Sequence, residues 1–319
     1  MVLDDLLSKR LIVLSGKGGV GKSVVGAALA LAARERGKRV LLVEVEAPRE
    51  AARYLGGRRS GGVVCEVLPG LFTLNLDPKA AMEEYVRATV RVDILARRVL
   101  ESPLYHRFFA AAPGVPELIT LGKVMVLEGE TIGWRGRPRF DLIVLDAPAT
   151  GHGLAFLKVP LAASRAVPVG PVGHNARRIV ALLRDPARTA LGVVAIPEEM
   201  AVVEALEFHR LATEELGITP RAIFLNGCHE RRFTEAQEAE ILRLGAAGAA
   251  GAGALAPGIS LSAALGAARR HLRRHKLTRF YLARLRRAST TPLVALPYLF
   301  RDDVGLDDLR VLAERLEAA

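Results

Sequence analysis

Cysteine is scarce in this chain of 319 residues, which carries only two, Cys65 and Cys228. Two cysteines that lie far apart in sequence cannot form a disulfide framework or a four-thiolate zinc site within one chain. Long hydrophobic runs are missing too, because charged residues interrupt every apolar stretch before the ~18 residues that a membrane span needs. The first ten residues carry acids where a secretory signal has bases, and they contain no cleavage-site pattern. We therefore expect a soluble, cytoplasmic protein without an integral membrane segment.

The composition is that of a folded protein, with 50% hydrophobic and 25% charged residues. This balance excludes global disorder, and the length allows one large α/β domain or two ordinary ones. The formal net charge of +11 is concentrated in residues 264–287, which hold nine Lys and Arg and no acid. The rest of the chain is close to neutral. The basic segment is either a solvated helix face or a docking surface for an acidic partner or nucleic acid.

Short apolar runs recur along the chain and alternate with helical patterns. Almost all of them are continuously apolar, which is typical of strands buried on both faces of a parallel sheet. The runs are residues 11–14, 39–45, 71–76, 140–146, 190–196 and 220–226. Helices are predicted between them, for example over Val24–Arg36 and Pro197–Leu216, each followed by a glycine. This order predicts an α/β fold, with a doubly wound, mostly parallel sheet and ligands at the carboxyl ends of its strands.

Two stretches break this rhythm and are mostly helical in pattern, residues 79–135 and residues 229–288. The second contains a Gly/Ala-rich stretch, residues 245–258, whose low complexity predicts a loop or linker. Because both stretches interrupt the α/β core, we expect them to pack together as one helical subdomain at its rim. Residues 1–319 would then form a single domain with one inserted subdomain.

Residues 16–23 match the phosphate-loop pattern G-x-x-x-x-G-K-[ST], between an apolar strand and a helix as the chemistry requires. The glycines let consecutive backbone N–H groups surround a phosphate, and the helix N-terminus adds partial positive charge. Lys22 is predicted to bridge the β- and γ-phosphates, and the Ser23 hydroxyl to ligate Mg²⁺. The predicted cofactors are therefore ATP or ADP with Mg²⁺. The residues predicted to contact the nucleotide are Gly18, Gly19, Val20, Gly21, Lys22, Ser23 and Val24.

A second lysine, Lys17, lies inside the same loop. A lysine beside Gly16 cannot easily fold back onto the phosphates that its own backbone surrounds, so it is better placed to reach a nucleotide held by a facing subunit. This deviant Walker A loop resembles that of the SIMIBI-class ATPases, which include MinD, ParA, the nitrogenase iron protein and the ArsA/Get family. The resemblance implies that Lys17 acts in catalysis across a dimer interface, in a homodimer or in a heterodimer with a related chain.

Residues 140–153 narrow the family, because they resemble the switch II of ArsA/Get-type ATPases, whose pattern is D-x-A-P-T-G-H. The resemblance implies that Asp146, at the end of an apolar strand, orients a water bound to Mg²⁺ and so serves catalysis. It also implies a nucleotide-sensing turn beyond that strand. The residues of this turn are Pro148, Thr150, Gly151 and His152.

Further segments extend the resemblance over nearly the whole chain. Residues 71–85 resemble the family's entry into its helical subdomain. Asn226 matches the position that reads adenine, and Pro297 ends the late strand whose loop covers the base. The chain lacks the thiolate cluster that arsenite activation needs and the C-x-x-C zinc site of the eukaryotic tail-anchor branch. It is therefore identified as a bacterial-type member of the ArsA/Get family without those cysteines.

The segment that matches switch I departs from the family pattern S/D-T-D-P-A-H, whose aspartate positions the attacking water. Residues 43–48 read V-E-V-E-A-P, so Glu46 falls at the aspartate position and the proline is displaced by one residue. A carboxylate there still accepts a hydrogen bond from water, so we expect hydrolysis with Glu46 as a catalytic residue. Glu44 is the rival carboxylate, and a Glu46 exposed in a loop without a catalytic role is the third interpretation.

The resemblance implies a dimeric, ATP- and Mg²⁺-dependent ATPase that couples ATP binding and hydrolysis to binding or release of a client protein. One alternative is a ParA/MinD-like positioning ATPase, for which residues 264–287 would bind DNA. The segment 302–317 is too acidic for a MinD-like membrane helix and is expected to pack on the core. A second alternative is a nucleotide-dependent scaffold that pairs with a related chain and hydrolyses weakly, which rests on the glutamate at position 46.

Overall fold

The structure is a computed structural model, and it confirms the predicted α/β class: eight strands form a mostly parallel sheet with helices on both faces. The residues that the structure describes are 1–45, 47, 51–57, 60–90, 92–103, 113–134, 136–148, 153–246, 254–256 and 259–319.

The strands and helices follow the predicted order along the chain. The strands are β1 (Leu11–Ser15), β2 (Val40–Val45), β3 (Cys65–Leu68), β4 (Leu71–Leu76), β5 (Thr131–Ile132), β6 (Arg137–Pro138), β7 (Leu142–Asp146), β8 (Thr189–Ala195), β9 (Ala222–Cys228), β10 (Ala254–Ala256), β11 (Ile259–Ser260) and β12 (Leu293–Pro297). The helices are α1 (Val2–Leu7), α2 (Lys22–Glu35), α3 (Pro78–Thr89), α4 (Asp93–Glu101), α5 (Val115–Gly129), α6 (Gly153–Ala166), α7 (Gly170–Arg184), α8 (Glu199–Leu211), α9 (Glu235–Ala246), α10 (Leu261–Ala288) and α11 (Leu306–Glu317).

The main sheet has β1 near its centre, in the order β12-β9-β8-β1-β7-β2-β4-β3. Its neighbours run parallel, except for the antiparallel pair of β3 with β4. In the register, Leu14 of β1 lies beside Asp146 of β7 and Gly192 of β8. The carboxyl ends of these three strands therefore meet at one edge, which is where doubly wound sheets bind their ligands.

Helices bury both faces of the sheet, which explains why the strand runs are continuously apolar. On one face, α1, α2 and α11 cover the side chains of Ile12 and Leu14. On the other face, α5, α6 and α7 cover Leu11 and Val13, while α8 and α10 cover the half formed by β8 and β9. The acidic C-terminal helix α11 packs on this core, as its sequence predicts, through Leu309 and other buried leucines.

The two helical inserts pack on the same face of the sheet against different neighbours. In residues 79–135, α3 packs on α4 and α5, and α5 packs on α7. In residues 229–288, α9 packs on α10, and α10 packs on α8. Phe208 of α8 contacts the hydrophobic clusters of both regions. The union of the inserts in one subdomain stays a prediction.

Three short features depart from the sequence prediction. The sequence patterns do not indicate β3, because its residues are mostly half-buried at the edge of the sheet. The hairpin β5–β6 interrupts a stretch predicted to be helical, and the hairpin β10–β11 begins within the Gly/Ala-rich stretch that was predicted to be a loop or linker. Gly133 and Gly136, with φ of +72° and +64°, turn the chain between β5 and β6. Much of the Gly/Ala-rich stretch 245–258 lies outside the described residues.

In the parts of the chain that the structure describes, no helix is both long and apolar enough to cross a bilayer.

Candidate functional site

The phosphate loop connects the end of β1 to the start of α2, and two of its glycines are required by close packing. A Cβ at Gly16 would lie 2.2 Å from the carbonyl oxygen of Val194, and one at Gly21 would lie 2.3 Å from Nδ2 of Asn226. Gly21 also has a φ of +85°, in the left-handed region that other residues avoid. The loop can therefore bring its backbone N–H groups close to an anion only because these positions lack side chains.

The remaining loop residues divide between solvent and core. Gly18 and Gly19 are exposed, so their backbone groups are accessible to a ligand. Val20 is buried in the hydrophobic core, and Val24 packs partly against the same cluster. Val20 and Val24 thus anchor the second half of the loop and the start of α2, while Gly18 and Gly19, which precede Val20, are exposed.

Lys22 begins α2 and points back into the loop. Its Nζ atom donates to the carbonyl oxygens of Gly16 and Lys17, at 3.1 and 3.2 Å. Burial lowers the pKa of Lys22, while the nearby carboxylate of Asp146 raises it. Among the described residues, the hydrogen-bond partners of this buried cation are carbonyl oxygens, so it is well suited to attract the negative charge of a phosphate. A bound phosphate would favour the charged form of Lys22 and so oppose the effect of burial on its pKa.

Asp146 and Ser23 form a pair of oxygen ligands beside Lys22. The Ser23 hydroxyl donates to Oδ2 of Asp146 at 2.5 Å. Burial raises the pKa of Asp146, and the hydrogen bond from Ser23 and the charge of Lys22 oppose that shift. The other oxygen, Oδ1, is buried and has no hydrogen-bond partner among the described residues.

This donor set fits Mg²⁺. The ion prefers hard oxygen ligands, and sites of this kind take one or two protein oxygens and complete the shell with water and phosphate. The Ser23 hydroxyl and the Asp146 carboxylate, whose Oδ1 has no partner among the described residues, satisfy that requirement. No cluster of three or more His, Cys, Asp or Glu that would enclose a metal occurs in the described ranges.

Lys17 is directed toward α8 rather than into its own loop. Its Nζ atom lies 2.6 Å from Oε1 of Glu204, and the two side chains are 38% and 36% exposed. The sequence prediction missed this ion pair, because the two residues are 187 positions apart. The ion pair keeps the Lys17 side chain partly exposed beside the loop. The action of Lys17 across a dimer interface stays a prediction.

Asn226 lies near the end of β9, next to the phosphate loop. Its Nδ2 donates to the carbonyl oxygen of Val20 at 3.0 Å, so the side chain holds the loop in place. Pro297 ends β12 beside Cys228 of β9, and the next N–H, that of Tyr298, donates to the Cys228 carbonyl oxygen. Adenine recognition by Asn226 and Pro297 stays a prediction, although both lie at the carboxyl ends of adjacent strands.

An aromatic cluster follows these two strand ends, and the sequence analysis did not single it out. The rings of His229 and Tyr298 stack with centroids 4.7 Å apart, and Phe300 packs edge-on to both. Arg232 lies over the ring of Phe300 at 4.2 Å. Burial, followed by the charge of His271, lowers the pKa of His229, which favours the neutral ring. Aromatic residues directly after a predicted strand were the available signal.

The carboxylates predicted near switch I fall in different parts of the structure. Glu44 is buried on β2 beside Asp146 in the register, and its Oε2 accepts the backbone N–H of Ala51 at 2.7 Å. Glu46 lies outside the described residues. Its neighbour Ala47 exchanges two hydrogen bonds with the side chain of Asn75, at 2.9 and 3.0 Å. The sequence analysis did not single out Asn75, whose side chain holds the backbone of Ala47 in place.

The predicted switch II turn is described only at its start. Pro148 follows β7 and is half-buried at the edge where the phosphate loop lies. Thr150, Gly151 and His152 lie outside the described residues. Gly153 begins α6, and a Cβ there would lie 2.5 Å from Oγ of Ser15, so the chain returns close to the end of β1 directly after the turn.

Several known ATPases resemble this chain over about half to two thirds of its length. ATPase BagA of Mycobacterium tuberculosis is 33% identical over 226 residues, which cover 66% of this chain and 63% of the relative. An arsenical pump-driving ATPase of Escherichia coli is 26% identical over 241 residues, 68% of this chain and 39% of the relative. The ATPase get3 of Schizosaccharomyces japonicus is 27% identical over 171 residues, 52% of this chain and 49% of the relative. This chain thus spans less than two thirds of the length of these relatives.

The sequence profile of the anion-transporting ATPases matches residues 9–169. This range contains the phosphate loop, Glu46 and the strand that ends at Asp146, so the match covers the residues that form the candidate site. With half of the chain matched and the loop geometry in place, the chain belongs to the anion-transporting ATPase family.

Proposed function

We propose that this chain binds ATP with Mg²⁺ at the phosphate loop and hydrolyses it. The observation that carries the proposal is the pair of Ser23, in the first turn of α2, and Asp146, at the end of β7, directly beside Lys22. Ser23 would contribute its hydroxyl to the ion, and Asp146 would accept a hydrogen bond from a water of the ion's shell. The unpartnered Oδ1 of Asp146 supports that second role.

Bound ATP would supply the phosphoryl group, and bound Mg²⁺ would neutralise the negative charge that develops on that group. The protein's part is positioning. Lys22 exchanges its bonds to Gly16 and Lys17 for phosphate oxygens, and Asn226 holds the loop through Val20. Glu46 orients the attacking water, and Asn75 fixes the adjacent Ala47 by two hydrogen bonds. Glu44 already accepts the N–H of Ala51, so Glu46 is the better candidate for contact with water.

The finer proposal is a dimeric switch. Lys17 is partly exposed, and its partner in this chain is a partly exposed carboxylate, so the ion pair is weak enough to exchange. ATP bound by a facing subunit would offer Lys17 a more highly charged partner than Glu204. ATP binding would then close two protomers, and hydrolysis would release them. Both a homodimer and a heterodimer with a related chain satisfy this scheme.

The client of such a switch would bind the helical insert 79–135. Helix α4 exposes a row of apolar side chains, with Ile94 70% exposed, Leu95 50% and Val99 42%. Apolar residues grouped on one exposed helix face favour contact with another protein. We therefore propose an apolar client surface on α4 that responds to closure of the dimer.

Turnover by the purified protein tests the central part of this proposal. The variant Lys22→Ala removes the main cation for the β- and γ-phosphates and should lower Mg²⁺-dependent ATP hydrolysis by at least about a hundredfold. Lys79→Ala, an exposed lysine on α3, is the matched control and should leave turnover unchanged. Hydrolysis at the unmodified rate in Lys22→Ala would remove the phosphate-loop assignment.

A ParA/MinD-like positioning ATPase is the second candidate function, and one observation favours it. Helix α10 presents its basic side chains to solvent, and within the described residues Arg274 alone among them forms an ion pair, with Glu198 at 3.4 Å. The acidic helix α11 opposes the MinD-like form of this alternative, because it packs on α2. A weakly hydrolysing scaffold is the third candidate, and the turnover assay separates it from the first.

A further inference from the structure

An apolar cavity lies between α3, α5 and α7, and it shares no residue with the phosphate loop or the α4 surface. Its volume is about 260 Å³, far more than the roughly 10–15 Å³ that one water molecule needs. Most of its lining is aliphatic or methionine, including Met82, Leu118, Ile119, Met125, Val126 and Ile179. An apolar cavity of this size is a typical small-molecule site.

Gly122 keeps part of the cavity wall open. It lies in the interior of α5, where a glycine weakens a helix relative to alanine. A Cβ at this position would meet only Cδ1 of Ile179, at 3.9 Å, which is ordinary contact. Packing therefore does not require a glycine here. Its effect is to leave space beside Ile119 and Ile179 that a larger side chain would occupy.

The polar side chains that line the cavity differ in whether they already have a hydrogen-bond or ion-pair partner. Both carboxylate oxygens of Glu84 lie 2.7 Å from Nζ of Lys123, and the amide of Asn175 donates to the Tyr85 hydroxyl at 3.3 Å. Arg178 is exposed, and it makes no hydrogen bond or ion pair with the described residues. The available polar group at the cavity is therefore a guanidinium, which binds carboxylates in a planar, bidentate manner.

We propose that this cavity binds a small amphipathic carboxylate, with an alkyl chain among the aliphatic walls and the carboxylate at Arg178. The lining favours an alkyl chain over an aromatic ligand, because Tyr85 is the one aromatic residue among the described residues that line the cavity, and its hydroxyl is already bonded. Met82 and Met125 adapt readily to a flexible chain. The proposal is independent of ATP binding, since no residue of the phosphate loop takes part.

Calorimetric titration of the nucleotide-free protein with octanoate, decanoate and dodecanoate tests this directly. Affinity should rise about fourfold for each methylene that is buried, and then level off when the cavity is full. The corresponding n-alcohols, which lack the charge, should bind about threefold more weakly than the acids. No saturable binding of any acid, or equal affinity for acids and alcohols, would overturn the proposal.

Two pairs of variants locate the site. Gly122→Leu should weaken binding at least about tenfold by filling the cavity. Gly129→Leu, at the exposed end of the same helix with no atom within 4 Å of a Cβ, should have no effect. Arg178→Gln should abolish the preference for acids over alcohols. Arg177→Gln should not, because the Arg177 side chain lies outside the cavity and donates to Pro168.

The folded state of each variant is checked by circular dichroism. If Gly122→Leu fails to fold, Gly122→Ala replaces it and should weaken binding by a smaller factor in the same direction. Unchanged affinity in the folded Gly122 variant would show that the ligand binds elsewhere. Saturable binding of an apolar helical peptide by a protein that binds none of the fatty acids would assign the cavity to a protein segment and contradict the proposal.

Discussion

At the scale of single residues, burial decides which side chains are chemically available. Cys228 is buried at the end of β9, and burial raises the pKa of its thiol to about 12. Cys65 on β3 is only half-buried. Because the thiolate is the reactive form, the two cysteines differ in reactivity. Cys65 lies on β3 at one edge of the sheet and Cys228 on β9 near the opposite edge, so they cannot act together as a pair of soft ligands.

Alkylation of the folded protein measures this difference. A raised pKa keeps the Cys228 thiol protonated at pH 8, so iodoacetamide at this pH should label Cys65 and leave Cys228 unmodified. Mass spectrometry of the peptides gives the site of labelling. In guanidinium chloride both cysteines should react, which serves as the control. Rapid labelling of Cys228 in the folded protein would contradict the burial argument.

The ion pair of Lys17 and Glu204 makes a second prediction at this scale. The proposed switch requires Lys17 to leave Glu204, so Glu204→Gln should tighten ATP-dependent association about two- to fivefold, the range expected for a partly exposed pair. Glu207→Gln, an exposed carboxylate on the same helix, is the matched control. Weaker association in Glu204→Gln would mean that Glu204 supports the dimer instead of competing with it. The measurement is light scattering with ATP and Mg²⁺.

At the scale of elements, the turn from β1 to α2 joins backbone strain to ligand binding. Gly21 and Gly37 both have positive φ, +85° and +79°. At both positions a residue with a side chain would be strained, because the left-handed backbone conformation favours glycine. They differ in surroundings: a Cβ at Gly21 would displace Asn226, whereas one at Gly37 would meet nothing within 4 Å.

The two glycines therefore form a matched pair of variants. Gly21→Ala and Gly37→Ala should each lose about 1–2 kcal/mol of unfolding free energy, because alanine is strained in the left-handed region. Only Gly21→Ala should also weaken ATP binding, by about tenfold or more, since it moves both the loop and the Asn226 side chain. Urea unfolding and nucleotide titration separate the two effects. Equal ATP affinity in both variants would show that the loop tolerates the displacement.

Helix α10 divides into a buried stripe and a basic outer face. Leu265, Leu272, Tyr281 and Leu285 are buried, and Tyr281 and Leu285 belong to the hydrophobic cluster formed with α8, β8 and β9. Phe280 is 54% exposed. It follows Arg279 on the outer side, because a residue directly before a buried Tyr281 is turned about 100° away from it.

Duplex DNA binding tests what the basic face does. Simple charge attraction predicts weak, sequence-independent binding at low salt that disappears near 0.15 M salt, where the Debye length is about 8 Å. ATP should not change it. Tight, ATP-dependent binding at that salt concentration, lost on replacing Arg269, Arg270, Arg273 and Arg274, would instead favour the positioning ATPase. A gel-shift titration with and without ATP distinguishes these results.

At the scale of the whole molecule, the features that could be predicted are those formed by residues that lie close together in the sequence. Strand β1, the loop and α2 are adjacent in sequence, so apolar periodicity and the glycine spacing were sufficient to predict them. The pair of Lys17 with Glu204 was not predictable, because the contact joins residues that only the folded sheet brings together. Strand β3 escaped prediction because a short edge strand is half-solvated and carries no continuous apolar run.

The same difference between local and long-range contacts applies to the candidate site. Asp146 ends β7 and Ser23 lies in the first turn of α2, just after the phosphate loop. The parallel pairing of β1 with β7 places the loop beside the end of β7, so the two side chains lie 2.5 Å apart. The aromatic cluster at Tyr298 and His229 depends instead on how the segments after β9 and β12 fold onto each other. Sequence patterns locate strand ends, but they do not specify the packing of the chain beyond them.

The central claim is that ATP joins two protomers through Lys17. Sedimentation velocity of the purified protein with Mg²⁺ and a non-hydrolysable ATP analogue tests it most directly, with ADP as the comparison. The account predicts a dimer with the analogue and a monomer with ADP, and it predicts that Lys17→Ala stays monomeric while still binding the analogue. An analogue-bound protein that remains monomeric, or a Lys17→Ala variant that dimerises normally, would contradict it.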